Sequence, residues 1–328
     1  MFSCPFLTAK PGRKMTDLSD FTVAIFSFNR GGYLENCAQS CLANMPRARI
    51  EIFDDASDDP GTLVVLDNLA AQGCTIHNVQ PSDASRHGGL YSNMQLALER
   101  CETPYILFLQ DDTQVVRPLD AATADVIRTA FAHPDIAFVR PQFFKQMDMY
   151  RFEPHFAQAH INGLIEPKDA YQKCDHDHAY CDVVLADVAL LRAKNWQFIP
   201  LERSNQDQAK RLFKFMPYLV HPFVFYCPEV PSYRDRRLYS ASRIVQRGRV
   251  GKIVRLNDWE DAATERLFAL GDGQFPIAED YLSANLPDVK FPFVFQDYAR
   301  NSWLHALYKV ESRLYRIWDG LLRLGRFK

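Results

Sequence analysis

Two pairs of adjacent aspartates, Asp54-Asp55 and Asp111-Asp112, each close an apolar run of the chain. The first pair follows IEIF and opens the turn DDASDDPG; the second follows YILFL and Gln110. Uncompensated carboxylates repel, so gathering them implies a cation, a protonated group or a donor-rich ligand. A third polar run, Ser27-Phe28-Asn29-Arg30, ends the apolar stretch TVAIF. Any one of the three could be a solvated turn, because loops are polar by default. Delivered to one place, they would form a site for a metal ion or a charged ligand.

Alternating strands and helices would deliver them. TVAIFSF (22–28), IEIF (50–53), CTIHNV (74–79), YILFL (105–109) and IAFVR (136–140) are short runs of strand-forming residues. Between the first two, Tyr33, Leu34, Cys37, Ala38, Cys41, Leu42 and Met45 recur with helical spacing until Pro46. Further helices are expected over 61–72, 90–101 and 120–132. This pattern predicts an α/β fold with one mostly parallel, Rossmann-like sheet flanked by helices. Ligands of such sheets bind beyond the carboxyl ends of the strands, and all three polar runs fall there.

Composition narrows the function classes. The 328 residues are 47% hydrophobic with a formal net charge of −2, which is globular and gives no global pull toward nucleic acid. The N-terminus MFSCPFLTAKPGRKM lacks the basic start and apolar core of a secretory signal. Eight scattered cysteines, several inside apolar stripes, are therefore expected as reduced thiols of a cytoplasmic protein. No stretch reaches the roughly 18 uncharged apolar residues of a membrane span.

TVAIFSFNRGGYLENCAQSCLANMPRARIEIFDDASDD and RHGGLYSNMQLALERCETPYILFLQDD resemble family 2 glycosyltransferases of the GT-A fold, over residues 20–235. The first segment has an aromatic-Asn-Arg strand end and a second strand ending in Asp-Asp. The second has a Gly-x-x-x-x-Asn helix leading to the strand that bears the family's Asp-x-Asp motif. The resemblance implies inverting transfer of a sugar from a nucleotide diphosphate, UDP first, to a hydroxyl of a glycan or glycolipid. Bacterial surface polysaccharide or lipopolysaccharide synthesis is the implied setting. Ser27, Phe28, Asn29, Arg30, Asp54, Asp55, Arg86, Asn93 and Asp111 are the implied nucleotide-sugar contacts. Asp55 matches the base contact and Asp111 the ribose contact, while a guanidinium such as Arg86 suits a diphosphate. Asp112 is the implied ligand of Mn2+ or Mg2+. Gln110 stands where the commonest motif has its first Asp, but one carboxylate plus a diphosphate can hold a hard cation.

An inverting transfer also needs a base for the acceptor hydroxyl. The family carries it at the start of a helix well after the metal motif. RSNQDQAKRLFKFM supplies Asp207 there, with Gln206 in place of the common acidic residue. An Asp in a first helical turn also favours the helix dipole without any catalysis. Asp182, in YCDVVLAD, falls near the expected acceptor loop. CDHDHAYC (174–181) brings Cys174, His176, His178 and Cys181 together, yet four ligands within eight residues could hardly wrap one zinc tetrahedron. A loop placing His176 or His178 against sugar or phosphate, or plain structure, are the other readings.

The flanks divide off as an N-terminal extension (1–19) and a basic, largely helical C-terminal region (236–328). The last 28 residues carry six basic and two acidic groups. Trp303, Leu304, Leu307, Val310, Leu314, Ile317, Trp318, Leu321 and Leu324 follow one helical face, as in a helix lying on an anionic membrane. A helix packed on the catalytic core or on a second subunit fits equally well. A lipid-linked glycan would be the acceptor such a membrane helix suits. Nothing resembles a nucleic-acid recognition module. Two competing functions stay open. A sugar-nucleotide pyrophosphorylase would need a Gly-rich, Lys-bearing loop that FSFNRGGYL does not supply. A non-catalytic glycan-binding or scaffold protein is kept open by Gln110 and Gln206.

Overall fold

Strand β1 (Phe21–Ser27) is buried at every residue, so it must be covered on both faces. The computed structural model describes residues 16–79, 89–168, 179–232, 237–249 and 252–325. Helix α1 (Gly31–Asn44) leads to β2 (Arg49–Asp54), α2 (Pro60–Ala71) to β3 (Thr75–Asn78), and α3 (Leu90–Arg100) to β4 (Tyr105–Gln110). The sheet order is β3-β2-β1-β4 with every neighbouring pair parallel. Sequence sets where the helices begin. Asp59, followed by Pro60, caps α2 by accepting from the Thr62 amide at 2.8 Å. Asp120 caps α4 (Ala121–Phe131) through the Thr123 amide at 2.9 Å. Both are ordinary Asp N-caps.

Beyond β4 the chain departs from simple repetition. The short β5 (Thr113–Val115) leaves the main sheet, and the run expected over 136–140 yields only β6 (Phe138–Val139). The 3₁₀ turn and short helix α5 (Met149–Phe152) precede the hairpin β7 (Phe156–Ile161) and β8 (Leu164–Pro167). The neighbour of β4 is β9 (Val184–Asp187), which runs antiparallel to it and separates it from β6. The sheet is therefore mostly parallel with one reversed strand. The apolar VVLA stretch takes that interior place between β4 and β6, with Val184, Leu185 and Ala186 fully buried.

Helices α6 (Val188–Ala193) and α7 (Glu202–Leu212) follow, then β10 (Tyr218–Leu219) on β8 and β11 (Val224–Tyr226) on β5. The rest of the chain does not stand apart. Helices α9 (Asp261–Phe268) and α10 (Ala278–Tyr281) bring Leu267 and Ala278 into one cluster with Val116, Phe143 and Phe225. Gln114 ties the same region down, donating to the Leu256 carbonyl at 3.0 Å and accepting its amide at 3.1 Å. The last helix, α11 (Ser302–Gly325), lies on α8 (Ser240–Arg247) through Leu304, Ala241 and Tyr298. An Arg237–Asp319 ion pair at 3.0 Å pins its far end. Cys37, Cys41, Cys74, Cys101, Cys181 and Cys227 are buried free thiols.

Candidate functional site

Parallel register is what gathers the acidic strand ends. Ser27 pairs with Asp54 and Phe26 with Gln110, so β1 stands between both pairs of aspartates. The ladder continues one step past the strands. The Asp55 amide donates to the Ser27 carbonyl and the Asp111 amide to the Phe26 carbonyl, each at 3.0 Å. Asp54, Asp55, Asp111 and Asp112 are all buried.

These carboxylates are differently occupied. Asp54 is spent on its own turn, accepting from the Ser57 amide at 2.7 Å and hydroxyl at 2.6 Å. Asn29, in the left-handed region at φ 49°, latches onto the same loop. Its side-chain oxygen accepts from the amides of Asp58 at 2.9 Å and Asp59 at 3.0 Å. Both residues thus shape the rim, a role that the strand-end motif alone did not reveal. Asp55 accepts from the Gly89 amide at 2.9 Å. A Cβ at Gly89 would lie 2.4 Å from the Asp55 carboxylate, so glycine is what lets α3 begin there. Asn93, one turn into α3, is 1% exposed, and its side-chain oxygen has no hydrogen-bond partner among the described residues.

Arg30 holds the second acidic pair. Its guanidinium reaches Asp112 Oδ2 at 2.7 Å and Asp111 Oδ1 at 3.2 Å. Asp111 also accepts from the Ser27 hydroxyl at 3.1 Å and the Phe28 amide at 3.4 Å. Burial pushes the Asp111 carboxyl up to about 7; Arg30 pulls the other way and Asp112 adds to the rise. Asp112 Oδ1 is buried with no hydrogen-bond partner among the described residues. A hard divalent cation takes oxygen ligands and can be held by one or two carboxylates plus phosphates. The residues present fit such an ion. Among the described residues no set of three His, Cys, Asp or Glu side chains forms an all-protein metal site.

The expected acceptor side is built on β9, α3 and α7. Asp182 accepts from the hydroxyls of Tyr91 and Tyr180, both at 3.0 Å, and its amide donates to Glu202 at 3.1 Å. Burial, reinforced by Asp182, pushes both phenols far up, so they stay protonated donors. On α7 the inward residues are Asn205, Gln206 and Ala209, while Asp207 is exposed. Asn205 holds the preceding loop, donating to the Ile199 carbonyl at 2.7 Å and the Leu201 carbonyl at 3.1 Å. Gln206 Oε1 is buried without a hydrogen-bond partner among the described residues. The Asp207 side chain makes no hydrogen bond or ion pair with another described residue. Arg86, Cys174, His176 and His178 lie outside the described residues. Sequence reading missed Tyr91, Tyr180 and Glu202; the only signal was their nearness to the Asn93 helix, to Asp182 and to Asp207.

The family model described as glycosyl transferase family 2 matches residues 22–178, which include the strand ends just described. No curated protein matches the chain. Among solved structures it is similar to S. aureus TarS 1–349, with 13% identity, 61% of this chain and 57% of that one covered, and a TM-score of 0.42. It is also similar to the mannosyltransferase PcManGT from Pyrobaculum calidifontis in complex with GDP-Man and Mn2+. There identity is 13%, coverage 71% of this chain and 65% of that one, and TM-score 0.42. For glucosyl-3-phosphoglycerate synthase from Mycobacterium tuberculosis the values are 14%, 58%, 65% and 0.38. The chain spans less than two thirds of each of these three structures. The strand ends that gather the aspartates thus lie within the part of the chain, residues 22–178, that matches the glycosyl transferase family 2 model.

Proposed function

We propose that the chain is an inverting nucleotide-sugar glycosyltransferase, with UDP as donor nucleotide and a glycan or glycolipid hydroxyl as acceptor. The observation that carries this reading is the convergence of Asp55, Asp111, Asp112 and Arg30 at one end of the sheet. Asp55 accepts from a base N–H and Phe28 stacks on the base. Asp111 accepts from the ribose, and Ser27, Asn29 and Asp54 shape the pocket around it. Asn93 turns its amide toward the donor, and Arg30 and Arg86 fork onto the diphosphate. Asp112, with Asp111 beside it, would hold Mn2+ or Mg2+, which when bound supplies charge neutralisation for the leaving diphosphate. Asp207 takes the proton of the acceptor hydroxyl. Its exposure suits an acceptor that arrives from solvent. Asp182, fixed by its two tyrosines, orients that acceptor, with His176 and His178 as further contacts.

The test is calorimetric titration of UDP and GDP with and without Mn2+, paired with turnover of the corresponding nucleotide sugars. UDP binding that strengthens with Mn2+ and is lost in Asp112→Ala supports the reading. If no nucleoside diphosphate binds and no donor turns over, the non-catalytic glycan-binding alternative takes its place.

We also place the chain at the cytoplasmic face of a membrane, held by α11 and serving a lipid-linked acceptor of surface polysaccharide synthesis. No described helix is long and apolar enough to cross a membrane. On α11, however, Trp303, Val310, Leu314, Ile317, Trp318 and Leu321 are all exposed, each by more than half. At 100° per residue they share one stripe. Leu304, Tyr308, Ser312 and Tyr315 fall on the docked side, and the exposed cations Lys309, Arg313 and Arg316 flank the stripe on its free side. Apolar stripe, interfacial tryptophans and adjacent cations together match an anionic lipid surface.

A further inference from the structure

Asp111 and Asp112 are each only 1% exposed, yet they sit side by side. Leaving two such charges uncompensated would cost several kcal/mol each. The fold supplies a cation of its own. Arg30 is the residue before α1, and its carbonyl is fixed by the amides of Tyr33 at 3.0 Å and Leu34 at 2.9 Å. From that anchor its two terminal nitrogens divide between the carboxylates, at 2.7 Å and 3.2 Å. The side chain is 19% exposed, so it stands at the mouth of the acidic pair. A divalent cation approaching Asp112 meets the guanidinium already bound to Oδ2, with only Oδ1 left over.

We propose that Arg30 is the resident counter-ion of Asp111 and Asp112, excluding a free divalent cation until a diphosphate draws the guanidinium away. This deepens the nucleotide-diphosphate reading of the edge and rests on it. The exchange is chemically even. A diphosphate gives the planar fork two anionic oxygens in place of the two carboxylates. The released carboxylates then face the cation that the diphosphate also ligates. Metal and nucleotide consequently bind as a coupled pair, each raising the affinity of the other by the same factor. Direct ligation of the cation by the diphosphate couples the two in any case, so the share owed to Arg30 is read from Mn2+ binding without UDP, which a merely structural ion pair would leave unchanged on its removal.

The experiment follows free Mn2+ by its electron paramagnetic resonance signal, with and without UDP, in the wild type, Arg30→Gln and Arg30→Gln/Asp112→Asn. The wild type should take up Mn2+ weakly alone and about tenfold more tightly with UDP, within the usual range of coupling. Arg30→Gln should bind Mn2+ alone about tenfold more tightly than the wild type, and the coupling to UDP should fall to the part that direct ligation by the diphosphate supplies. Adding Asp112→Asn should remove that gain. Arg30→Met, uncharged and close in length, should likewise bind Mn2+ alone more tightly than the wild type, and it carries the test if the glutamine variant does not fold. Equal Mn2+ affinity in the wild type and Arg30→Gln, without UDP, overturns the proposal. A wild type indifferent to UDP sinks the donor reading instead, leaving the metal-alone comparison to judge Arg30.

Discussion

The sheet edge and the last helix break burial preferences in opposite senses. At the edge, Asp111 and Asp112 are buried to 1% exposure with Arg30 between them. On α11, Ile317 and Trp318 are 62% and 60% exposed in the company of four more large apolar side chains. Each arrangement is unfavourable for the isolated chain: buried charge loses hydration, and exposed apolar surface forgoes about 25 cal/mol per Å². The remedy differs in shape. Buried paired charges are answered by something small and ionic, whereas an exposed stripe along a helix is answered by something extended and apolar. The difference also lies in how firmly each is held. Three strands in fixed register set the edge, while α11 docks along one side only.

Asp112→Asn is the change that strikes the edge hardest. On the proposed reading, loss of the carboxylate that would hold the cation should lower donor turnover about 10²–10³-fold, while circular dichroism stays native. Turnover within about threefold of wild type would mean that the buried pair is structural, and the two regions would then differ less than their burial suggests. Asp207→Asn should cut transfer by about 10²–10⁴-fold while UDP affinity is unchanged, as expected for a base that acts only on the acceptor. A loss of UDP affinity in that variant would contradict the assignment.

Much of the edge was legible because its elements are locally over-determined. β1 and β4 are uninterrupted apolar runs between polar stops, and Asp59 and Asp120 mark helix starts. The reversed β9 was not legible, because VVLA has the same buried signature whichever way it runs and whichever place in the sheet it takes. The inward side of α7 was equally hidden. ERSNQDQAKRL has too few apolar residues to orient a helix, so nothing in its spacing set Asn205 and Gln206 inward and Asp207 outward. On α11 the sequence showed apolar residues over a wide arc. Only the docked partner reveals that Leu304 belongs to the seam while Trp303 and Ile317 do not.

The helix side of the comparison is broken by charge placed in the stripe. Leu314→Glu with Ile317→Glu should reduce flotation with phosphatidylserine-containing vesicles by about tenfold or more, given that binding scales with buried apolar area. Flotation that is unchanged, or equal on neutral and anionic vesicles, rules out the proposed lipid contact. A wild-type dimer that the same changes dissociate, seen by sedimentation, would assign the stripe to a second copy.

A smaller effect separates a buried carboxylate that a cation bridges from one that no cation bridges among the described residues. Asp297, beside the seam between α8 and α11, is 5% exposed and accepts from the Ser242 hydroxyl at 2.9 Å and the Gln246 amide at 3.5 Å. Burial pushes its carboxyl up to about 6, against the pull of those hydrogen bonds and of Arg249. The native state therefore binds its proton more tightly than the unfolded chain, whose Asp titrates near 3.9. That stability is fully present below the unfolded value and is lost as pH rises through about 6. Asp297→Asn has no such proton to lose. Its amide oxygen can still accept from Ser242, and the long contact to Gln246 tolerates a turn of that amide to present its oxygen. The melting midpoint of Asp297→Asn relative to wild type should therefore rise by a few degrees between about pH 4 and pH 6.5, then level off. A difference that stays flat across that range would mean that Asp297 is ionised at little cost, with Arg249 serving it as Arg30 serves the sheet edge.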